Sequence, residues 1–220
     1  MFVCGVPRDS SEFSRLVSVE QGLFGGLSVP PQMAHEIFEF RPEIYTAVVA
    51  PDQSVAAYSS AYPLKAHWAE EFVAGHVTEP ELTSDMLLER QDSHERSCVY
   101  VGSVVVAGNY DPFTKSILLA SLFSWRVQQM RHASIDRLSL IMTAVTKQGE
   151  RMIRRIGARQ LNDGAHRKDG HAIYGREITP RFLVRATAMM AQCLGDGIVQ
   201  MSFEGWPIPL TPARPGVVRQ

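Results

Sequence analysis

Residues 97–130 read SCVYVGSVVVAGNYDPFTKSILLASLFSWRVQQM, and the fold turns on how this stretch divides. Cys98 to Ala107 is an apolar run rich in β-branched residues, the composition of a buried strand. Gly108-Asn109-Tyr110-Asp111-Pro112 is a string of turn formers. Phe113 to Met130 carries Ile117, Leu118, Leu119, Leu122, Phe123, Trp125 and Met130 and reads as a long helix. A strand that empties through a short loop into a helix is a place where anions bind. The first helical N–H groups lack partners within the helix, and the helix dipole favours negative charge there. This loop is where a phosphate-bearing cofactor is first sought.

Upstream, Ser10 to Val19 has helical spacing of Phe13, Leu16 and Val17, and Gly22, Gly25 and Gly26 end it. Ser28 to Phe40 follows as a second helix, with Pro30-Pro31 in its first turn and Pro42 after its end. Glu43 to Ala50 and Val55 to Tyr62 are strands on either side of Pro51-Asp52-Gln53-Ser54, a hairpin. Lys65 to Ala74 reads as a helix, and Glu79-Pro80 opens a short helical stretch to about Leu88. Downstream, Ile135 to Val145 is a strand. Thr146 caps a helix to Arg155, closed by Gly157. Ala158 to Leu161 and His171 to Ile178 are strands, and residues 181–194 are a final helix. Glycine and proline dominate from Gly195 on, Trp206-Pro207 suggests an arm laid on a surface, and Pro212 to Gln220 reads as disordered.

A chain of 220 residues with 45% hydrophobic and 20% charged residues can bury a sizeable core unaided. Its net charge of −1 recruits neither nucleic acid nor anionic lipid. Cys4, Cys98 and Cys193 form no CxxC pair, which suits a reducing cytoplasm. The N-terminus is too polar after Val6 for a signal peptide, and no apolar run reaches the roughly 20 residues of a membrane span. The histidines show no metal-binding spacing, and no GxSxG or Walker pattern occurs, so no metal site is expected.

The order helix, helix, strand, strand, helix, strand, helix, strand, helix, strand, strand resembles the GCN5-related N-acetyltransferase (GNAT) fold from about Ser28 to Thr179. Three places carry the resemblance: the hairpin AVVAPDQSVAAYSSAYPL, the segment VGSVVVAGNYDPFTKSILLAS and the helix TKQGERMIRRIGA. It implies an α/β (α+β) protein with a mixed, mostly antiparallel central sheet flanked by helices. A GNAT-like domain would span 1–180, with 1–27 as its N-terminal segment and 181–220 as a C-terminal helix and extended tail. It further implies acetyl-CoA or another acyl-CoA as donor and a small-molecule or protein amine as acceptor. The tail could dock on its own domain or on a second copy in a homodimer.

By the same resemblance Val104, Val105 and Val106 would pair with the pantetheine arm, and Phe113, Thr114, Lys115 and Ser116 would meet the phosphates. The loop departs from the family pattern at Asp111 and Pro112. Asp at the N-cap followed by Pro at N1 is a self-sufficient helix start, whose carboxylate takes the N–H groups a pyrophosphate would use. The family's acceptor side implies Phe38, Arg41, Tyr45, Tyr62 and His67 as substrate residues. Its usual carboxylate is replaced by Gly102 and Ser103, where Ser103 could hold a water, and its usual tyrosine by Ile153. Glu95, Tyr100, Tyr174 and His171 are substitutes by type. Tyr174, on a neighbouring strand, is the preferred acid. The basic face Lys147, Arg151, Arg154, Arg155 and Arg159 would meet a 3′-phosphate of coenzyme A or an acidic acyl carrier protein. Three functions stay open: an N-acyltransferase using coenzyme A, one using acyl carrier protein, and a catalytically silent binding module.

Overall fold

The computed structural model describes residues 1–89, 97–132, 138–195 and 201–203. Among them the order is β1 (Phe2–Gly5), α1 (Ser10–Phe24), α2 (Pro31–Phe40), β2 (Tyr45–Val49), β3 (Val55–Leu64), α3 (Ala66–Ala74), β4 (Ser97–Val106), α4 (Pro112–His132), β5 (Leu138–Thr143), α5 (Lys147–Arg155), β6 (Arg159–Asn162), β7 (Ile173–Ile178), α6 (Pro180–Gly195) and β8 (Met201–Phe203). The strands form one sheet in the order β6-β7-β5-β4-β3-β2-β1-β8. Pairing is antiparallel except between β4 and β5 and between β1 and β8.

Alternation along the strands gives the sheet two covered faces. On one, Tyr45, Ala47, Tyr58, Tyr62, Leu64, Tyr100 and Ile141 pack with Phe13 and Leu16 of α1, Ile37 and Phe38 of α2 and Phe72 of α3. On the other, Val48, Ala56, Ala57 and Val106 meet Leu118, Leu122 and Trp125 of α4. Leu138, Leu140, Met142 and Tyr174 meet Ile153 of α5 and Leu183 and Ala186 of α6 there. Arg126 of α4 is buried among carbonyls. It donates to Ser59 O (2.7 Å), Glu43 O (2.8 Å) and Ile44 O, fastening α4 to the start of β2.

Several helix ends form as the residues dictate. Asp9 caps α1 by accepting from Glu12 N (2.8 Å), and Thr146 Oγ1 caps α5 by accepting from Gly149 N (3.0 Å). Gly157, at φ 81°, closes α5 in the left-handed region.

The structure differs from the sequence reading in one place and adds two strands to it. Phe2–Gly5 is a strand, set by its antiparallel register with Ala47–Val49. Glu79 to Leu88 is not one helical stretch but two single 3₁₀ turns, Glu79–Glu81 and Ser84–Met86. Met201–Phe203, where the sequence reading gave no element, adds a parallel strand beside β1. The first residues of the strand expected from Ile135, the surface arm expected at Trp206-Pro207 and the segment Pro212 to Gln220 lie outside the described residues. Among the described residues no helix is long and apolar enough to cross a membrane.

Candidate functional site

β4 and β5 run side by side only as far as Val101 and Met142. β5 ends one residue later, at Thr143, and its chain turns toward β7, where Ala144 N donates to Ala172 O (3.4 Å). β4 continues to Val106, paired on one side only, with β3. Ala107 N donates to Ala56 O (2.8 Å), so the peptide groups of Val105 and Ala107 face β3. By the alternation of an antiparallel ladder, those of Val104 and Val106 face the opposite, open side. This is a strand edge inside the sheet, able to bond an extended chain of amides.

A bulge marks the point of parting. Val101 pairs with Ala61 and Val104 with Ser59, so two residues of β4, Gly102 and Ser103, oppose the single Ser60. Ser60 Oγ accepts from Ser103 N (2.9 Å) and satisfies the donor that the bulge would orphan. The bulge turns Gly102 and Ser103 toward the α1 face. Ser103 Oγ donates to Glu20 Oε1 of α1 (2.7 Å). Burial holds the Glu20 carboxyl above the usual carboxylate range, with the Ser103 bond opposing the shift.

Over Gly102 lies Glu79, from the first 3₁₀ turn after α3. A Cβ built on Gly102 would stand 2.6 Å from Glu79 Oε1 and 2.9 Å from both Ser60 Oγ and Tyr62 Cε2. Tyr100 Oη donates to Glu79 Oε2 (2.5 Å), while Oε1 has no hydrogen-bond partner among the described residues. Burial, and next the nearby Glu20 carboxyl, push the Glu79 carboxyl up to about 8.

The turn that carries Glu79 is tied on both sides. Glu81 Oε2 accepts from Thr78 N (2.8 Å) and Thr78 Oγ1 (3.0 Å), and Lys168 Nζ reaches Glu81 Oε1 (2.8 Å). Arg167, held by Asp169 (2.6 Å), donates to Phe72 O and lies 5.4 Å from that ring, which packs 4.2 Å from the Tyr100 ring. Beside this group is a cavity of about 200 Å³, lined by Leu27, Glu79, Tyr100, Thr143, Val145 and His171 among others. A larger hollow of about 990 Å³ lies at the far ends of β4 and β5, around Cys98 and Leu138, away from the parting.

At the other end of the open edge, α4 begins as its sequence predicts. Asp111 Oδ1 accepts from Phe113 N (2.9 Å) and Thr114 N (3.1 Å), and Oδ2 accepts from Thr114 Oγ1. These bonds hold the Asp111 carboxyl below its ordinary range. Ser116 Oγ donates to Pro112 O (2.9 Å).

Solved structures share this fold. The chain is similar to FeeM, an N-acyl amino acid synthase from uncultured soil microbes (TM-score 0.55, 12% identity, 87% of this chain and 98% of that one). It is similar to NAA60 of Arabidopsis thaliana in complex with acetyl-CoA (TM-score 0.54, 15% identity, 81% and 99%). A GNAT-family acetyltransferase from Staphylococcus aureus also matches (TM-score 0.52, 9% identity, 80% and 99%). The chain has the GNAT fold. No protein-family model matches the sequence, and no curated protein matches it.

Within the GNAT framework the residues singled out by sequence are spread over several places. Val104 and Val106 present their peptide groups to the open edge, while the Val105 side chain enters the α1-side core. Phe113, Thr114, Lys115 and Ser116 form the first turn of α4. Ser103 meets Glu20. Tyr174 lies on the opposite face of the sheet from Tyr100, and its hydroxyl donates to Glu150 Oε1 of α5 (2.8 Å). The structure does not bring Tyr174 and Ser103 together.

Phe38 stacks on Phe13 (4.2 Å) and Tyr45 is fully buried, so both pack the core under the α1 face. Arg41 is held by Glu43 (3.1 Å) and Leu88 O (2.6 Å), and His67 is exposed beside Trp68. Tyr62, fully buried against Gly102, is the member of that set nearest the parting. Glu95 falls outside the described residues. The sequence reading missed Glu79. Its signal was faint: a Thr-x-x-Glu pair, Thr78 and Glu81, that anchors the turn and leaves Glu79 facing in. Among the described residues no cluster of ligating side chains could hold a metal ion.

Proposed function

We propose that the chain is an N-acyltransferase that moves an acetyl or other acyl group from coenzyme A to a primary amine. The observation that carries this reading is the parting of β4 from β5, which leaves the peptide groups of Val104 and Val106 free to bond a pantetheine arm. The likeness to proteins that acylate amines supports it.

The residues fit the two ends of the donor unequally. The open edge suits the amide-bearing arm. Lys115, Thr114 and Ser116 could meet phosphate, but the N–H groups of Phe113 and Thr114 are already bonded to Asp111. That occupancy favours a second reading, in which the same arm arrives on an acyl carrier protein with a single phosphate. The exposed bases Lys147, Arg151 and Arg155 of α5 would then face this acidic partner. A silent binding module is the third reading. The deciding experiment is a radiolabelled or mass-spectrometric transfer assay with acetyl-CoA, long-chain acyl-CoA and acyl carrier protein over a panel of primary amines. Amide formation with an acyl-CoA supports the proposal, amide formation with acyl carrier protein alone supports the second reading, and thioester binding without turnover points to the silent module.

A further inference from the structure

The side of the molecule covered by α5 and α6 carries one sign of charge. Arg151, Arg154 and Arg155 are exposed on α5, and Arg181 and Arg185 are exposed at the start of α6. Arg176 joins the two groups. Tyr174 and Ile178 of β7 pack toward α5 and α6, so by alternation Arg176 faces the same way. Its guanidinium carbon lies 4.2 Å from the centre of the Phe182 ring of α6, and a Cβ built on Gly157, at the end of α5, would stand 2.6 Å from its Nη1. The carboxylate of α5 is Glu150, already bonded by Arg154 (2.9 Å) and by the Tyr174 hydroxyl (2.8 Å). Glu177 of β7 faces the other way, into the hollow around Cys98. Among the described residues Arg151, Arg155, Arg176, Arg181 and Arg185 pair with no carboxylate.

Unpaired charges of one sign repel one another and are stabilised by an anionic partner. The chain's net charge of −1 sums its whole surface, whereas a partner in about 0.15 M salt feels the charges within about 8 Å. The kind of anion follows from Val184. It is 63% exposed, the most of any large apolar side chain among the described residues. On α6 it shares a stripe with Arg181, Arg185 and Ala188, all exposed, while Leu183 and Ala186 turn inward. A phosphodiester backbone or an acidic helix would use the arginines and leave Val184 in water. A bilayer interface takes both: the valine enters it, and the arginine stems lie beside it with their charged ends among the head groups.

We infer that the α5–α6 side of the molecule docks on the surface of an anionic phospholipid bilayer. Val184 enters the head-group layer, Arg181 and Arg185 flank it against lipid phosphates, and Arg176 and the α5 arginines add charge around the contact. One exposed valine and a handful of arginines make a reversible, salt-sensitive attachment rather than an anchor. α6 starts just after Ile178, which pairs with Leu138 at the start of β5, so the contact centres on the end of the sheet away from the parting. Docking there is independent of acyl transfer.

The test mixes the full chain with vesicles of phosphatidylcholine and phosphatidylserine, roughly 3:1, or of phosphatidylcholine alone, and reads the bound fraction by co-sedimentation. Wild type should partition onto the anionic vesicles about tenfold or more above the neutral ones, and lose that preference in about 0.5 M salt. Each arginine at such a surface is worth about fivefold, so Arg181→Glu with Arg185→Glu should cut the partition by about thirtyfold or more. Val184→Ser, which leaves every charge in place, should cut it by about threefold or more. The altered side chains are exposed, so wild type and both variants should melt together. A short RNA duplex and an acidic carrier protein are titrated with the same three proteins. Binding of either that falls with the arginines and ignores Val184, with no preference for anionic vesicles, overturns the membrane contact in favour of that polyanion. Equal vesicle binding by wild type and both variants, or none by wild type, overturns it outright.

Discussion

Gly102 lies so close beneath Glu79 that a single methyl group on its Cα would stand 2.6 Å from the Oε1 oxygen. The backbone there is not in the left-handed region, so space and not conformation demands glycine. Gly102→Ala must therefore displace Glu79, Ser60 or the Tyr62 ring. Overpacking of this kind costs about 1–3 kcal/mol. Urea unfolding should show that loss, and transfer activity should fall further than stability does.

The raised carboxyl of Glu79 makes folding stability depend on pH in a known direction. In the unfolded chain this group ionises near 4.5, in the folded chain near 8. Between those values the folded state holds a proton that the unfolded state has lost. Its contribution is therefore complete below about pH 4.5 and disappears as pH rises to about 8. The interval from 4.5 to about 8 corresponds to roughly 5 kcal/mol. Chemical denaturation from pH 5 to 9 should show wild type weakening and Glu79→Gln markedly flatter, with the residual slope coming from Glu20.

Asp111 sets the donor end. Its carboxylate occupies the first N–H groups of α4 and would repel a pyrophosphate. Asp111→Gly frees those donors and removes the charge. Coenzyme A should then bind more tightly, by about tenfold for one charge-assisted contact regained, at the expense of a slightly lower Tm. Calorimetric titration of both proteins with coenzyme A reads the effect.

Arg151 and Arg154 distinguish the two donors. Both are exposed on α5, and Arg154 also pairs with Glu150 (2.9 Å). Charge reversal at both, Arg151→Glu with Arg154→Glu, should abolish transfer from acyl carrier protein and leave transfer from free acyl-CoA within about twofold. Equal loss with both donors would place the basic face against coenzyme A instead.

The parts of this molecule legible in its sequence are those fixed by neighbours in the chain. The Asp111-Pro112 start of α4, the Thr146 cap and Gly157 end of α5 and the β2–β3 hairpin each follow from a few adjacent residues. β1 and β8 were not legible, because three or four residues show no period and their strand character comes from Ala47–Val49 and from one another. Glu79 was hidden for the same reason. A glutamate before a proline reads as a solvated helix start; only the long-range approach of Tyr100, Gly102 and Glu20 buries it. Tyr174 was drawn by its strand, but alternation sends its ring to the α5 face, where Glu150 takes the hydroxyl.

The central claim is that the open edge of β4 receives a pantetheine arm. Hydrogen exchange at the amides of Val104 and Val106 reads it directly. These two N–H groups face the parting and lack a partner on β5, so they should exchange readily in the free protein. Addition of millimolar acetyl-CoA, or of acyl carrier protein bearing its thioester, should slow both at least tenfold while leaving Val105, bonded to β3, unchanged. Unaltered exchange at Val104 and Val106 with every thioester donor would contradict the account.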